Sequence, residues 1–219
     1  MKYFKVPPKG SLEPQGREDP LAYYYRPFVG FLYRARIEQA IALLSPPYES
    51  ILELGYGSGI LLPTIASLGK TVSGIDMAAD PQRVMSNVKK LGANVSLVQG
   101  DICDVSYPEE CFDLVVAISV LEHIRNFELV IHRVFHILKP GGHFLVGIPR
   151  VDTLMKIAFP LIGYFDIKEH HTTDYREFLK QAEKLFKLKR FVNLPSWVPR
   201  CLSLYFNMLL SKDLDKSYV

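Results

Sequence analysis

Residues 53–59 read Glu-Leu-Gly-Tyr-Gly-Ser-Gly, an acid followed by three glycines, Gly55, Gly57 and Gly59, spaced two apart. Glycines at this spacing let the backbone turn through positive φ and bring its N–H groups against an acceptor or anionic ligand. The stretch is therefore a nucleotide-binding candidate, and three patterns compete for it. A phosphate loop needs Gly-x-x-x-x-Gly-Lys-Ser/Thr, and no lysine stands in place. A dinucleotide turn needs Gly-x-Gly-x-x-Gly. Counted from Gly55, its third position is Ile60, whose side chain would disturb the close helix–strand contact that a glycine permits. The third pattern, Glu-x-Gly-x-Gly-x-Gly, fits in full with Glu53 at its head.

Two more acids follow at strand ends. Asp76 closes "TVSGID" and Asp101 closes "SLVQGD", and each precedes an apolar residue, Met77 and Ile102. A carboxylate accepts two hydroxyls bidentately, and the apolar neighbour stacks on a ring face, so the pair suits a purine riboside. Asp76 alone does not discriminate between nucleotides, whereas Asp101 implies a compact single nucleoside. His123, in "SVLEHI", is the general-base candidate because it titrates near neutral pH. The alternative is that Glu122 and His123 orient the following helix beside the ligand. His170 and His171 form a second candidate on the acceptor side. No metal is expected, since adjacent histidines point apart and no third ligand accompanies them. His132, His136 and His143 read as structural.

The elements that must position these groups alternate. Strands are expected at 50–54, 70–76, 94–101, 111–119 and 143–149, with helices at 58–69, 80–92 and within 120–142. The helix at 80–92 carries Asp80 as its cap and Pro81 at its first position. A helix at 23–44 precedes them. A helix at 173–185 and strands at 188–194 and 203–210 follow. Strands alternating with helices mean an α/β domain with a parallel sheet covered on both faces, and ligands then sit at the carboxyl ends of the strands.

Bulk properties narrow the classes further. The chain has 219 residues, enough for one domain with a core, and its net charge of +3 is too mild for a dedicated nucleic-acid binder. Cys103, Cys111 and Cys201 are odd in number and lack a C-x-x-C pair, which argues against disulfides or zinc. Neither a secretory leader nor a membrane span is evident, and a cytoplasmic location is expected. Residues 1–22 read as a flexible arm and 23–219 as a single domain. The tail raises a membrane question at 195–200, where Trp197 and Arg200 suit an interface.

The glycine turn, with "GIDMA", "VQGDI", "FDLVVAISVLEHI" and "LKPGGHFLVGIP" in register behind it, resembles the class I S-adenosylmethionine-dependent methyltransferases of the small-molecule, type 11 kind. "FLYRARIEQAIALL" resembles the aromatic–arginine helix that precedes the first motif in many of them. The resemblance spans roughly residues 23–194. It implies a Rossmann-like, doubly wound, mostly parallel seven-stranded sheet with helices on both faces and an N-terminal helical lid. It implies S-adenosyl-L-methionine as cofactor, leaving as S-adenosyl-L-homocysteine. On these positions Glu53 faces the methionine amino group, Gly55, Tyr56, Gly57, Ser58 and Gly59 form the turn, Asp76 with Met77 takes the ribose, Asp101 with Ile102 takes the adenine, and Ser119 and Val120 end the fourth strand. Tyr25, Tyr33, Arg34, His170 and His171 are assigned to the substrate and lid elements at 23–44 and 150–172. The fourth strand ends without an Asn/Asp-Pro-Pro-Tyr-like tetrapeptide, which points away from nucleic-acid bases and towards an O, N or C atom of a small molecule or a lipid, quinone or glycan precursor. A non-catalytic S-adenosylmethionine-binding regulator is the alternative from another class, and a nicotinamide oxidoreductase is disfavoured by Ile60.

Overall fold

A computed structural model describes residues 4–16, 19–150 and 174–213. Among them the elements run α1 (Val29–Ala42), β1 (Tyr48–Leu54), α2 (Leu62–Ala66), β2 (Gly69–Asp76), α3 (Pro81–Lys90), β3 (Ser96–Gln99), β4 (Phe112–Ile118), α4 (Phe127–Ile137), β5 (Leu138–Pro149), α5 (Tyr175–Ala182), β6 (Lys187–Leu194) and β7 (Tyr205–Ser211). The described strands form one sheet in the order β3-β2-β1-β4-β5-β7-β6. The first five run parallel, while β7 is antiparallel to both β5 and β6. The order reverses beside β1, which places the switch point between β1 and β4, where the glycine turn emerges.

The sheet has a core on each face. One gathers Ile37, Ile41, Ile51, Ile65, Val84 and Val116 beneath α1, α2 and α3. The other gathers Leu52, Val115, Val134, Phe144, Phe178 and Phe206 beneath α4 and α5. Alternate strand residues face opposite sides, so the neighbours Ile51 and Leu52, both fully buried, belong to different cores. This is why Ile51-Leu52 of β1 and Leu114–Ile118 of β4 are apolar at consecutive positions. Strand β7 is buried along its whole length, in line with its place between two neighbours.

Several boundaries differ from the sequence expectation. The helix expected at 23–44 is split: a 3-10 turn at Pro20–Tyr25 precedes α1, and Phe28 between them has a φ of 57°. The helix expected at 58–69 shortens to five residues, because the glycine turn occupies its front and Gly59 has a φ of 79°. The helix within 120–142 gives way at Leu138, and Lys139–Gly142 belong to β5. Asp174 caps α5 through the backbone N–H of Arg176. Residues 1–22, expected as a flexible arm, contribute Phe4, Leu12 and Leu21 to the first core.

Candidate active site

The glycine turn is shaped by contacts that a side chain would break. Gly55 has a φ of 70°, and a Cβ on it would lie 2.3 Å from Val120 Cγ2. This close approach is what Gly55 permits, and it brings the end of β1 against the end of β4. The Gly55 N–H donates to Ile75 O at 2.7 Å, which joins the turn to β2. Tyr56 lies inward with 3% exposure, its ring against Gly74 and its hydroxyl 3.3 Å from Val98 O.

Glu53 is the second-last residue of β1, paired with Gly74 on one side and Val116 on the other. It is 5% exposed, and its Oε2 has no hydrogen-bond partner among the described residues. Burial, then the nearby charge of Asp76, push its carboxyl up to about 8. A buried carboxylate oxygen without a donor is costly, and this one lines a pocket.

Asp76 holds the turn from the next strand. Its Oδ2 accepts from Gly57 N at 2.9 Å, and its Oδ1 accepts from Ala78 N at 2.8 Å and Ala79 N at 2.9 Å. A carboxylate has about four acceptor positions; three are taken, so the side chain is fixed in direction with one lone pair left. Met77 beside it is 68% exposed, an apolar side chain with a free face. Asp101 accepts from Cys103 N at 2.8 Å, and Ile102 is buried with Leu54, Ile75 and Val115.

Arg36, from α1, lines the same pocket. It donates to Ser119 Oγ at 3.0 Å and to the Tyr24 hydroxyl at 3.0 Å, while its Nε is buried without a partner among the described residues. The guanidinium lies 4.1 Å from the Tyr33 ring centroid and 5.4 Å from that of Tyr205. Ser119, with a φ of 57°, also shares a 2.7 Å hydrogen bond with the Tyr205 hydroxyl. The backbone of α1 is anchored as well, since Asn207 Nδ2 donates to Arg36 O at 2.9 Å. A buried acid and an aromatic-framed arginine lining one pocket suit the ammonium and carboxylate of an amino-acid group.

The pocket wall comprises Asp19, Pro20, Tyr24, Arg36, Ile37, Glu53, Gly55, Tyr56, Gly57, Ser58, Ile60, Leu61, Ile118 and Ser119. It brings together Glu53, the turn and Ser119 from the residues singled out in the sequence. Gly59 lies outside that wall, where a Cβ would meet Val84 and Leu62. Tyr33 stands behind Arg36, stacked on Tyr23. Tyr25 turns away and donates to Pro7 O at 3.0 Å. Arg34 is absent from the wall. His123 is exposed in the 3-10 turn Leu121–His123, next to Glu122, which is 1% exposed. Burial raises the Glu122 carboxyl to about 8, against the pull of its own backbone N–H and of Arg36. His170, His171 and the lid element at 150–172, apart from Arg150, lie outside the described residues. Among the described residues no group of three or more His, Cys, Asp or Glu could hold a metal ion.

Asp19, Tyr24, Arg36 and Tyr205 escaped the sequence reading. Asp19-Pro20 repeats the cap pattern recognised at Asp80-Pro81 and was legible on the same ground. Tyr33 and Arg36 are spaced i, i+3 on one helix face, a signal favouring Arg36 over Arg34 as its partner.

The cofactor fits these residues: Glu53 Oε2 is an orphaned acceptor and Arg36 Nε an orphaned donor, and both residues line the pocket with the glycine turn. Residues 52–146 match the family described as "Methyltransferase domain". The chain is 31% identical over 142 residues to the ubiquinone biosynthesis O-methyltransferase of Klebsiella pneumoniae (strain 342), covering 63% of this chain and 58% of that protein, so it spans little over half that relative's length. It is 31% identical over 183 residues to the ubiquinone biosynthesis O-methyltransferase of Pseudomonas fluorescens (strain SBW25), covering 78% of this chain and 76% of that one. Among solved structures, the N-methyltransferase NodS from Bradyrhizobium japonicum WM9 in complex with S-adenosyl-L-homocysteine superposes with a TM-score of 0.64 at 17% identity, over 91% and 94% of the two chains. The PH0226 protein from Pyrococcus horikoshii OT3 superposes with a TM-score of 0.68 at 18% identity, over 90% and 97%.

Proposed function

The chain belongs to the class I S-adenosylmethionine-dependent methyltransferases, and from that premise we propose that it methylates a hydroxyl oxygen of a small quinone-precursor or related lipid-like acceptor. The observation that carries the cofactor side is the unpartnered, buried Oε2 of Glu53, a residue that lines the pocket together with Arg36. The choice of oxygen and of a quinone precursor rests on the names of the relatives, which are ubiquinone biosynthesis O-methyltransferases.

S-adenosylmethionine supplies a methyl group on a sulfonium, already activated for in-line displacement. Glu53 holds its ammonium, Arg36 its carboxylate, Asp76 with Met77 its ribose, and Asp101 with Ile102 its adenine. Ser119 and Val120 border the reacting atoms at the end of β4. The chain's contribution is alignment and exclusion of water. Bound S-adenosylmethionine would give up its methyl group to the acceptor oxygen, leaving as S-adenosylhomocysteine, and His123, exposed beside Glu122, would take the hydroxyl proton.

The loop at 195–200 is proposed to touch the lipid surface in which such an acceptor resides. Trp197 there is 84% exposed, Leu202 is exposed, and Arg200 lies 4.3 Å from the Phe191 ring centroid. No helix among the described residues is long and apolar enough to cross a membrane.

The test is calorimetric titration of the full chain with S-adenosylmethionine, S-adenosylhomocysteine and NAD in parallel, followed by transfer of labelled methyl to a phenolic quinone precursor. Binding of the first two and label in the product are expected. NAD binding alone would overturn the cofactor assignment, and binding without transfer would remove the phenolic acceptor.

A further inference from the structure

Strand β7 is separated from β4 by β5. Its first residue, Tyr205, nonetheless brings its hydroxyl to 2.7 Å from Ser119 Oγ at the end of β4. The phenol lies over Gly147 of β5. A Cβ on Gly147 would be 2.6 Å from the Tyr205 hydroxyl and 2.9 Å from Ile118 Cδ1. Glycine in a strand interior marks such a close approach, and here it lets a side chain of β7 reach β4. The Gly147 carbonyl also accepts from Ser119 N at 2.8 Å. One residue of β5 thus fixes the Ser119 backbone, at its φ of 57°, and admits its side-chain partner.

The protons in this cluster can be counted. A serine hydroxyl donates one and accepts two. Arg36 Nη1 must be the donor in its bond to Ser119 Oγ, because a guanidinium has no acceptor. The bond to Tyr205 has two possible senses. Tyr205 is 4% exposed, and burial above all holds its phenol above the ordinary range, so it keeps its proton. Ser119 Oγ is the one hydrogen-bond partner of that phenol among the described residues. Were Ser119 the donor, the Tyr205 proton would be buried without an acceptor there, which is costly. Tyr205 therefore donates. Both acceptor positions of Ser119 are then filled, and its own proton points away from Arg36 and Tyr205. Ser119 is only half-buried and lines the pocket with Glu53 and Arg36.

We propose that Tyr205 is a positioning residue, passing over Gly147 to fix the Ser119 hydroxyl as a donor to the pocket, where Ser119 holds the carboxylate of the cofactor's amino-acid group beside Arg36. The inference rests on the S-adenosylmethionine reading of the pocket. It makes a prediction that a packing role for Tyr205 does not. The effect of its hydroxyl must pass through Ser119, and it must be felt only by a ligand that carries a carboxylate.

The experiment is calorimetric titration of the full chain, its Tyr205→Phe and Ser119→Ala variants and the double variant with two ligands. One is S-adenosylhomocysteine. The other is 5′-methylthioadenosine, which keeps the nucleoside and the thioether and lacks the amino-acid group. Each single variant is expected to weaken S-adenosylhomocysteine binding by about three- to tenfold and to leave 5′-methylthioadenosine binding unchanged. The double variant should lose no more than Ser119→Ala alone. Equal weakening of both ligands by Tyr205→Phe would show a packing role and overturn the proposal. So would additive losses in the double variant, or an unchanged S-adenosylhomocysteine affinity in Tyr205→Phe. The double variant decides the matter should 5′-methylthioadenosine bind too weakly to measure. Failure of the unaltered chain to bind S-adenosylhomocysteine at all would instead overturn the cofactor reading beneath it.

Discussion

Arg36 donates to the Ser119 hydroxyl at 3.0 Å, so a helix outside the sheet and the end of its central strand β4 are joined by two residues that both line the pocket. Tyr24, Tyr33 and Tyr205 frame the same guanidinium. Lysine lacks the planar fork that serves Ser119, Tyr24 and a ligand carboxylate at once. Arg36→Lys is expected to weaken S-adenosylmethionine binding by about ten- to a hundredfold, a loss of roughly 1.4–2.8 kcal/mol. Calorimetry on the folded variant reads this directly, and an unchanged affinity would remove Arg36 from the cofactor site.

The raised carboxyl of Glu53 couples binding to protons. In the empty pocket it is largely neutral below about 8, held there by burial and by Asp76. Pairing with the ligand's ammonium requires it to ionise. Binding at pH 6.0–7.5 should therefore release up to about one proton, and affinity should rise with pH across that window. Titrations in buffers of different ionisation enthalpy count the proton. Glu53→Gln should release none.

The same shift has the opposite sign for folding. Glu53 and Glu122 both have folded values of about 8, above the ordinary value of 4.5. The folded state binds more protons than the unfolded state between these limits, so the stability they contribute is complete below 4.5 and is lost as pH rises through 8. The unfolding midpoint of the ligand-free protein is expected to fall from pH 5 to pH 8. Replacing either residue by glutamine should flatten that slope.

Gly55 tests the junction of β1 and β4. Gly55→Ala forces a Cβ to within 2.3 Å of Val120 at a positive φ, and should destabilise the protein by about 2–4 kcal/mol. Adding Val120→Ala relieves the clash but not the backbone strain, so about 1–2 kcal/mol should remain. Denaturant unfolding of the single and double variants separates the two causes, and complete rescue would show that φ costs nothing here.

Tyr205→Phe keeps the ring, 5.4 Å from the Arg36 guanidinium, and deletes the bond to Ser119. A loss of about 1 kcal/mol is expected, a fall of roughly 2–4 °C in the unfolding midpoint, together with weaker cofactor binding through Ser119 and Arg36. Trp197→Ala should leave cofactor affinity intact and reduce co-sedimentation with liposomes. Equal sedimentation would dismiss the loop at 195–200 as the contact.

The sequence by itself determined the alternation of elements and the cofactor turn, while the strand order that sets the switch point came from the sheet. Each depends on local chemistry: Glu53 and three glycines lie within seven residues, Asp76 ends β2 while Asp101, expected at a strand end, lies two residues beyond β3, and Asp80-Pro81 starts a helix. Splitting of the first helix at Phe28 was not legible, because Phe28 carries no residue-type signal for its φ of 57°. Neither was the outer wall of the site. Arg36 is 83 residues from Ser119, Tyr205 is 86 from Ser119, and Asp19 is 39 from Ser58. Spacing within a chain reports which side chains share a helix or strand face. Which arginine of "RAR" reaches β4 depends on how α1 is rotated on the sheet, and packing against Ile37, Ile41 and the β7 anchor at Asn207 decided that.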